Sequence, residues 1–207
     1  MTARKAPSEE KVAEAKEVFR RHGGTMRTSE ALEAGVHPRT LYAMRDSGQL
    51  TKLSRGLYRL AEVPPLAHAD LVTVALRAPK AVVCLISALS FHELTTQVPH
   101  AVYIAIPTHA TKPRIDQPPL EVFEFGGESY SEGIQTHELD QKPVRIYSPE
   151  KTLADCFKFR NTVGQETAIE ALKAYAAGGD VDVDELMRCA RICRVAGVMR
   201  PYMEALL

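Results

Sequence analysis

Between Gly35 and Leu60 the chain reads GVHPRTLYAMRDSGQLTKLSRGLYRL, with arginine or lysine at five positions, Arg39, Arg45, Lys52, Arg55 and Arg59, set among aliphatic residues. Cations at this density suit the neutralisation of phosphates along a polyanion, where each contact releases a condensed counterion. A different chemistry is open to Asp140-Gln141-Lys142. Its carboxylate-x-lysine spacing suits metal-assisted cleavage of phosphodiesters, with Asp116 or Glu121 as the candidate second ligand.

The cations need elements to carry them. The spacing predicts a helix over Ser8 to His22, from Val12, Ala15, Val18 and Phe19 on one stripe, Glu9 and Glu10 in the first turn, Arg20 and Arg21 in the last, and Gly23-Gly24 as the stop. A shorter helix starts near Thr28 or Ser29, either of which can cap it, and closes at Gly35. A third has His37 at the cap position and Pro38 in the first turn, and it stops at Gly48. Thr51 to Ser54 and Leu57 to Arg59 then read as two short strands around an Arg55-Gly56 turn. The pattern is a helix-turn-helix with a wing.

On that frame Leu41, Met44 and part of Tyr42 face inward, while Arg39, Thr40, Ala43, Arg45 and Asp46 spread outward. Arg39 and Thr40 are the expected base-edge readers, with His37 and Arg45 on phosphate and the outward part of Tyr42 as a further DNA contact. Leu50, Leu53 and Leu57 are expected under the wing, leaving Lys52, Arg55 and Arg59 outside as DNA-facing cations, with Lys52, Ser54 and Arg55 expected to clasp the neighbouring backbone or enter a minor groove. Charge supports the assignment. Residues 1–60 hold 12 Lys and Arg against 7 Asp and Glu, and the remainder 14 against 19, so a formally neutral chain has a basic front and an acidic rear.

Residues 61–67, within the Pro-rich AEVPPLAH, read as a linker, and residues 68–207 as a second domain of mixed α/β type. There a helix over Ala69 to Ala78, a strand over Ala81 to Leu85 and a helix over Ser87 to Leu94 are expected. The strands AVYIAIP, LEVFEF and PVRIYS follow, and the chain is helical from Ser148. The fold class is α+β, a winged helix-turn-helix followed by a domain with a small sheet and C-terminal helices. Lys151, Asp155 and Lys158 line up as an ion-paired surface row on the helix begun by Ser148-Pro149-Glu150. Arg188, Arg191, Arg194 and Arg200 form a second basic cluster.

No catalytic constellation is convincing. GGESYSEG has the Gly-Ser opening of nucleotidyltransferases but no following Asp-x-Asp, and a hairpin loop explains it better. His92 beside Glu93 has no nucleophile to serve. Cys84, Cys156, Cys189 and Cys193 read as buried structural thiols, and no metal or other cofactor is expected. With no signal-peptide core at the start and no apolar run near the ~20 residues of a membrane span, a reduced, cytoplasmic protein without membrane contact is expected.

Taken together, SEALEAGVHPRTLYAMRDSGQLTKLSRGLYRL, AVVCLISALSFHELTTQVPHAVYIAIP, VRIYSPEKTLADCFKFRN and RICRVAGVMRPYMEAL resemble the AbiEi-type antitoxins, transcriptional regulators of type IV toxin-antitoxin systems. The resemblance implies a non-enzymatic repressor whose winged helix binds promoter DNA of its own operon. It also implies a C-terminal domain that counters a nucleotidyltransferase-like toxin without forming a stable complex with it. A monomer or weak dimer, paired on double-stranded DNA, follows from the small footprint of one winged module. Two other readings remain open at this point: a metal-dependent nuclease using Asp140 and Lys142, and an adaptor whose wing binds polypeptide.

Overall fold

The computed structural model describes residues 7–179 and 181–206. Arg4 and Lys5, which contribute to the basic front, lie outside the described residues, as does the first part of the 1–60 unit. Helix α1 (Glu9–Arg21) is followed by strand β1 (Thr25–Arg27), helices α2 (Thr28–Glu33) and α3 (Pro38–Asp46), and the hairpin β2 (Leu50–Ser54) and β3 (Leu57–Leu60). These elements close around Phe19, Met26, Leu41, Met44, Leu50 and Leu60. The helices and the hairpin fall where the apolar spacing puts them.

Strand β1 is the departure. It pairs antiparallel with β3, Thr25 opposite Arg59, and makes a sheet of order β1-β3-β2, so that β3 is a central strand and not the outer arm of a hairpin. Three residues between a glycine pair and a helix are too few to show alternation. The cap of α2 also differs from expectation. Glu30 accepts the Arg27 N–H at 2.8 Å, while Thr28 is spent on the wing, its N–H and hydroxyl both donating to the Gly56 carbonyl at 2.8 and 3.3 Å.

The second unit comprises α4 (Ala69–Arg77), β4 (Val82–Val83), α5 (Leu85–Phe91), β5 (Val102–Pro107), β6 (Leu120–Phe125), α6 (Glu128–Ser131), β7 (Ile134–Leu139) and β8 (Lys142–Tyr147). Then come α7 (Pro149–Lys158), α8 (Arg160–Val163), α9 (Gln165–Ala177), α10 (Val183–Ile192) and α11 (Ala196–Leu206). Its strands run β6-β5-β4-β8-β7, parallel for β5 with β6 and β4 with β8, and antiparallel elsewhere. Strand β4 is two residues long, not the expected Ala81 to Leu85, because Leu85 takes φ 46° and starts α5 at once. The polar run Ile134–Leu139 hid β7. GGESYSEG is not a hairpin loop either: the strands it joins lie at opposite edges of the sheet, and it crosses between them through α6.

Helix α7 is the centre of this unit, with α5, α9, α10 and α11 packed around it. The expected surface row is therefore wrong in two of its three members: Lys151 and Asp155 are fully buried, and only Lys158 is exposed. The Lys151 ammonium lies 2.6 Å from Asp155 Oδ2 and sits over the rings of Tyr147 and Phe125, at 4.1 and 4.9 Å from their centroids. Cys193 donates its thiol hydrogen to Asp155 Oδ1 at 3.2 Å. Burial raises the Asp155 carboxyl above its ordinary range, with Lys151 and Cys193 pulling against that. Gly133, at φ 71°, passes so close that a Cβ there would stand 2.6 Å from that of Lys151.

Removing one member of such a pair strands the other charge in an apolar interior. Asp155→Ala should lower unfolding free energy by about 3–5 kcal/mol, and the double replacement Lys151→Met with Asp155→Leu should cost clearly less. Urea titration of the three proteins checks this.

Candidate nucleic-acid interface

Helix α3 begins where His37, extended at φ −67° and ψ 138°, accepts the Arg39 N–H on Nδ1 at 3.2 Å, with Pro38 in the first turn. The imidazole expected on phosphate is thus also the helix cap. Thr40 and Met44 lie on one i, i+4 row of α3 and are buried, with Leu41 on the same side and Val36, just before the helix, buried as well. That row explains two departures. Thr40 is 3 % exposed and reaches no groove, whereas Tyr42, on the far side of the helix, is 41 % exposed.

Arg39, Tyr42 and Arg45 stand in solvent. Arg45 places its guanidinium 5.0 Å from the Tyr42 ring centroid and pairs with Asp46 at 2.7 Å. An exposed pair of this kind is weak and gives way to a phosphate.

In the wing, Lys52 and Arg55 are exposed as expected, and Leu53 is only partly covered. Ser54 is buried, with no partner for its hydroxyl among the described residues, because an irregular register between Lys52 and Ser54 turns it inward. Arg59 is also spent internally. It donates to Thr25 Oγ1 at 2.7 Å, the Gly23 carbonyl at 3.4 Å and the Pro64 carbonyl at 2.6 Å. Burial lowers its pKa, with the Asp140 charge opposing. The cause is β1, which makes Arg59 a cross-strand partner of Thr25.

Of the nine expected residues, His37, Arg39, Tyr42, Arg45, Lys52 and Arg55 share the outside of α3 and the wing, and Thr40, Ser54 and Arg59 do not. The sequence reading left out Lys11 and Arg21, which with Glu14, Glu17 and His37 line a cleft between α1 and the start of α3. They lie on one stripe of α1, a signal visible in the sequence once α1 is known to flank α3.

The wing is held at its tip. The Arg55 carbonyl accepts from Arg77 of α4, and Gly56, at φ 70°, is tied to Thr28. Residues 61–64 are fastened too, Glu62 pairing with Lys16 at 3.0 Å and with Arg20. Lys142 donates to the His22 carbonyl at 2.8 Å from the β7–β8 turn. Asp140 and Lys142 therefore face the first unit, while Glu121 sits on β6 at the opposite edge of the sheet. The residues proposed for a metal centre do not converge, and no group of three metal-ligating side chains occurs among the described residues.

Residues 14–61 match a family model described as transcriptional regulator, AbiEi antitoxin. Over that span the first unit is similar to an AbiEi-type regulator. The matched span runs from within α1 to just past the end of the wing, so every exposed cation of α3 and the hairpin lies inside it. A crystal structure of the RV2827C protein from Mycobacterium tuberculosis is similar over 90 % of this chain and 72 % of that one, with a TM-score of 0.60 at 15 % identity. At that identity the likeness is one of fold. No curated protein matches. No described helix is long and apolar enough to cross a membrane.

If Arg59 serves the fold, Arg59→Met leaves carbonyl and hydroxyl acceptors unpaired and should cost about 1–3 kcal/mol of stability. Any retardation of duplex DNA by the folded protein should keep its salt dependence, as read by gel retardation beside chemical unfolding.

Proposed function

We propose that the chain is a DNA-binding autorepressor and antitoxin. Residues 1–60 bind double-stranded promoter DNA of its own operon, and residues 68–207 counter a nucleotidyltransferase-like toxin without a stable complex. The carrying observation is that Arg39, Arg45, Lys52 and Arg55 are all exposed on the third helix and its hairpin, with the hairpin backbone fixed by Arg77 and Thr28. The AbiEi regulator match over the same residues supports it.

In this reading α3 enters the major groove, with Arg39 and Tyr42 nearest the base edges and Arg45 on phosphate beside the His37 cap. Lys52 and Arg55 clasp the adjacent backbone. Two copies on paired half-sites supply the affinity that one small module lacks, so the protein in solution is a monomer or weak dimer. The second unit requires no cofactor in this role.

Replacing Arg39, Arg45 and Arg55 together with alanine should abolish retardation of promoter DNA while the circular dichroism spectrum and unfolding midpoint stay near those of the parent. Lys52→Ala alone should reduce the slope of log affinity against log salt by about 0.9. Undiminished retardation by the triple variant sinks the assignment.

A further inference from the structure

The second basic cluster is divided by the fold. Arg188 is consumed, pairing with Glu132 at 2.8 Å and with Glu185 at 2.6 Å. Arg191 and Arg194, at the end of α10, instead line a cleft of about 520 Å³ with Lys158 from the end of α7 and the Gly126-Gly127 backbone beyond β6. None of these three cations has an ion-pair partner among the described residues, and all three are exposed. Glu128 and the carbonyl end of α10 oppose them, the latter with about half an elementary charge. Three full positive charges outweigh both.

The walls are fixed before any ligand arrives. Ser129 donates its hydroxyl to the Ile192 carbonyl at 3.4 Å, Arg188 and Glu132 bridge the same two walls, and the Cys193 thiol anchors the end of α10 to buried Asp155. Gly127, at φ 52° and ψ −136°, takes a conformation that only glycine adopts readily, and it leaves that wall without a side chain.

The stop of α10 adds an independent sign. Val195 N–H bonds the Ala190 carbonyl at 2.8 Å and Arg194 N–H the Arg191 carbonyl at 3.0 Å, the two bonds of a Schellman turn. Its left-handed residue is usually glycine. Here it is Arg194, at φ 61°, a placement that costs stability and puts a guanidinium over the cleft.

We infer that this cleft binds a phosphate group carried on a nucleotide, through Lys158, Arg191 and Arg194. Two guanidinium forks and an ammonium match phosphate oxygens, and the volume falls in the range of small-ligand sites. The phosphate is either that of a free nucleotide or that at the end of a nucleic-acid strand. Promoter recognition by the winged helix plays no part in the inference.

The test titrates the full chain with ATP, and separately with a short single-stranded oligonucleotide bearing a 5′-phosphate and with the same strand lacking it. Lys158→Gln, Arg191→Gln and Arg194→Gly should each weaken binding about tenfold, the usual worth of a charge-assisted hydrogen bond. Arg194→Gly should do so while unfolding at the same or a higher temperature, since glycine relieves the turn. A response to ATP identifies the free nucleotide as the source; a response confined to the phosphorylated strand identifies the strand end. If no probe binds, or if all three substitutions leave binding unchanged, the inference is overturned.

Discussion

The interior of the second unit is organised around one charge pair. Lys151 and Asp155 lie a single turn apart on α7, fully enclosed, and every partner they need comes from another element: Tyr147 from β8, Phe125 from β6, Cys193 from the end of α10. An apolar stripe tolerates some sliding of helix over sheet. A buried ion pair does not, because loss of any one hydrogen bond leaves charge in a medium that cannot solvate it. The close passage of Gly133 and the position of Cys193 follow from this demand, and with them the placing of the α10 terminus against the Gly126-Gly127 turn.

Much of the first unit was legible because its helices announce themselves by local means. A Gly pair ends α1, Pro38 starts α3 and Arg55-Gly56 turns the wing, and each signal acts within a few residues of where it is read. What was not legible depends on partners far along the chain. Arg59 reads as an outward cation until β1 pairs beside it, and Thr40 reads as a reader of bases until its row with Met44 is set against α1. The same holds for α7, where a charge spacing that signals a surface in an isolated helix is overruled by packing on all sides. Strand β7 escaped because an edge strand need not alternate cleanly.

The candidate interface was thus half visible. Side chains at helix and hairpin exteriors were found from periodicity alone, and the family resemblance placed them in a regulator domain that the match over residues 14–61 bears out. Arg21 was hidden because its charge is already explained by the end of α1, and Lys11 because nothing local shows that α1 flanks α3. The C-terminal arginines were visible as a cluster, but only the fold separates the one neutralised by Glu132 and Glu185 from the two left facing a cleft.

Among the described residues two polar clasps join the halves of the molecule, Arg77 on the Arg55 carbonyl and Lys142 on the His22 carbonyl. Two separated points of attachment suppress swivelling that one point would allow. Under the proposed binding of paired copies to a duplex, the helical repeat of the nucleic acid would set the spacing and phase of the larger lobes as well as of the third helices. A rigidly joined pair of lobes of this kind would carry any order imposed on the small unit through to the large one.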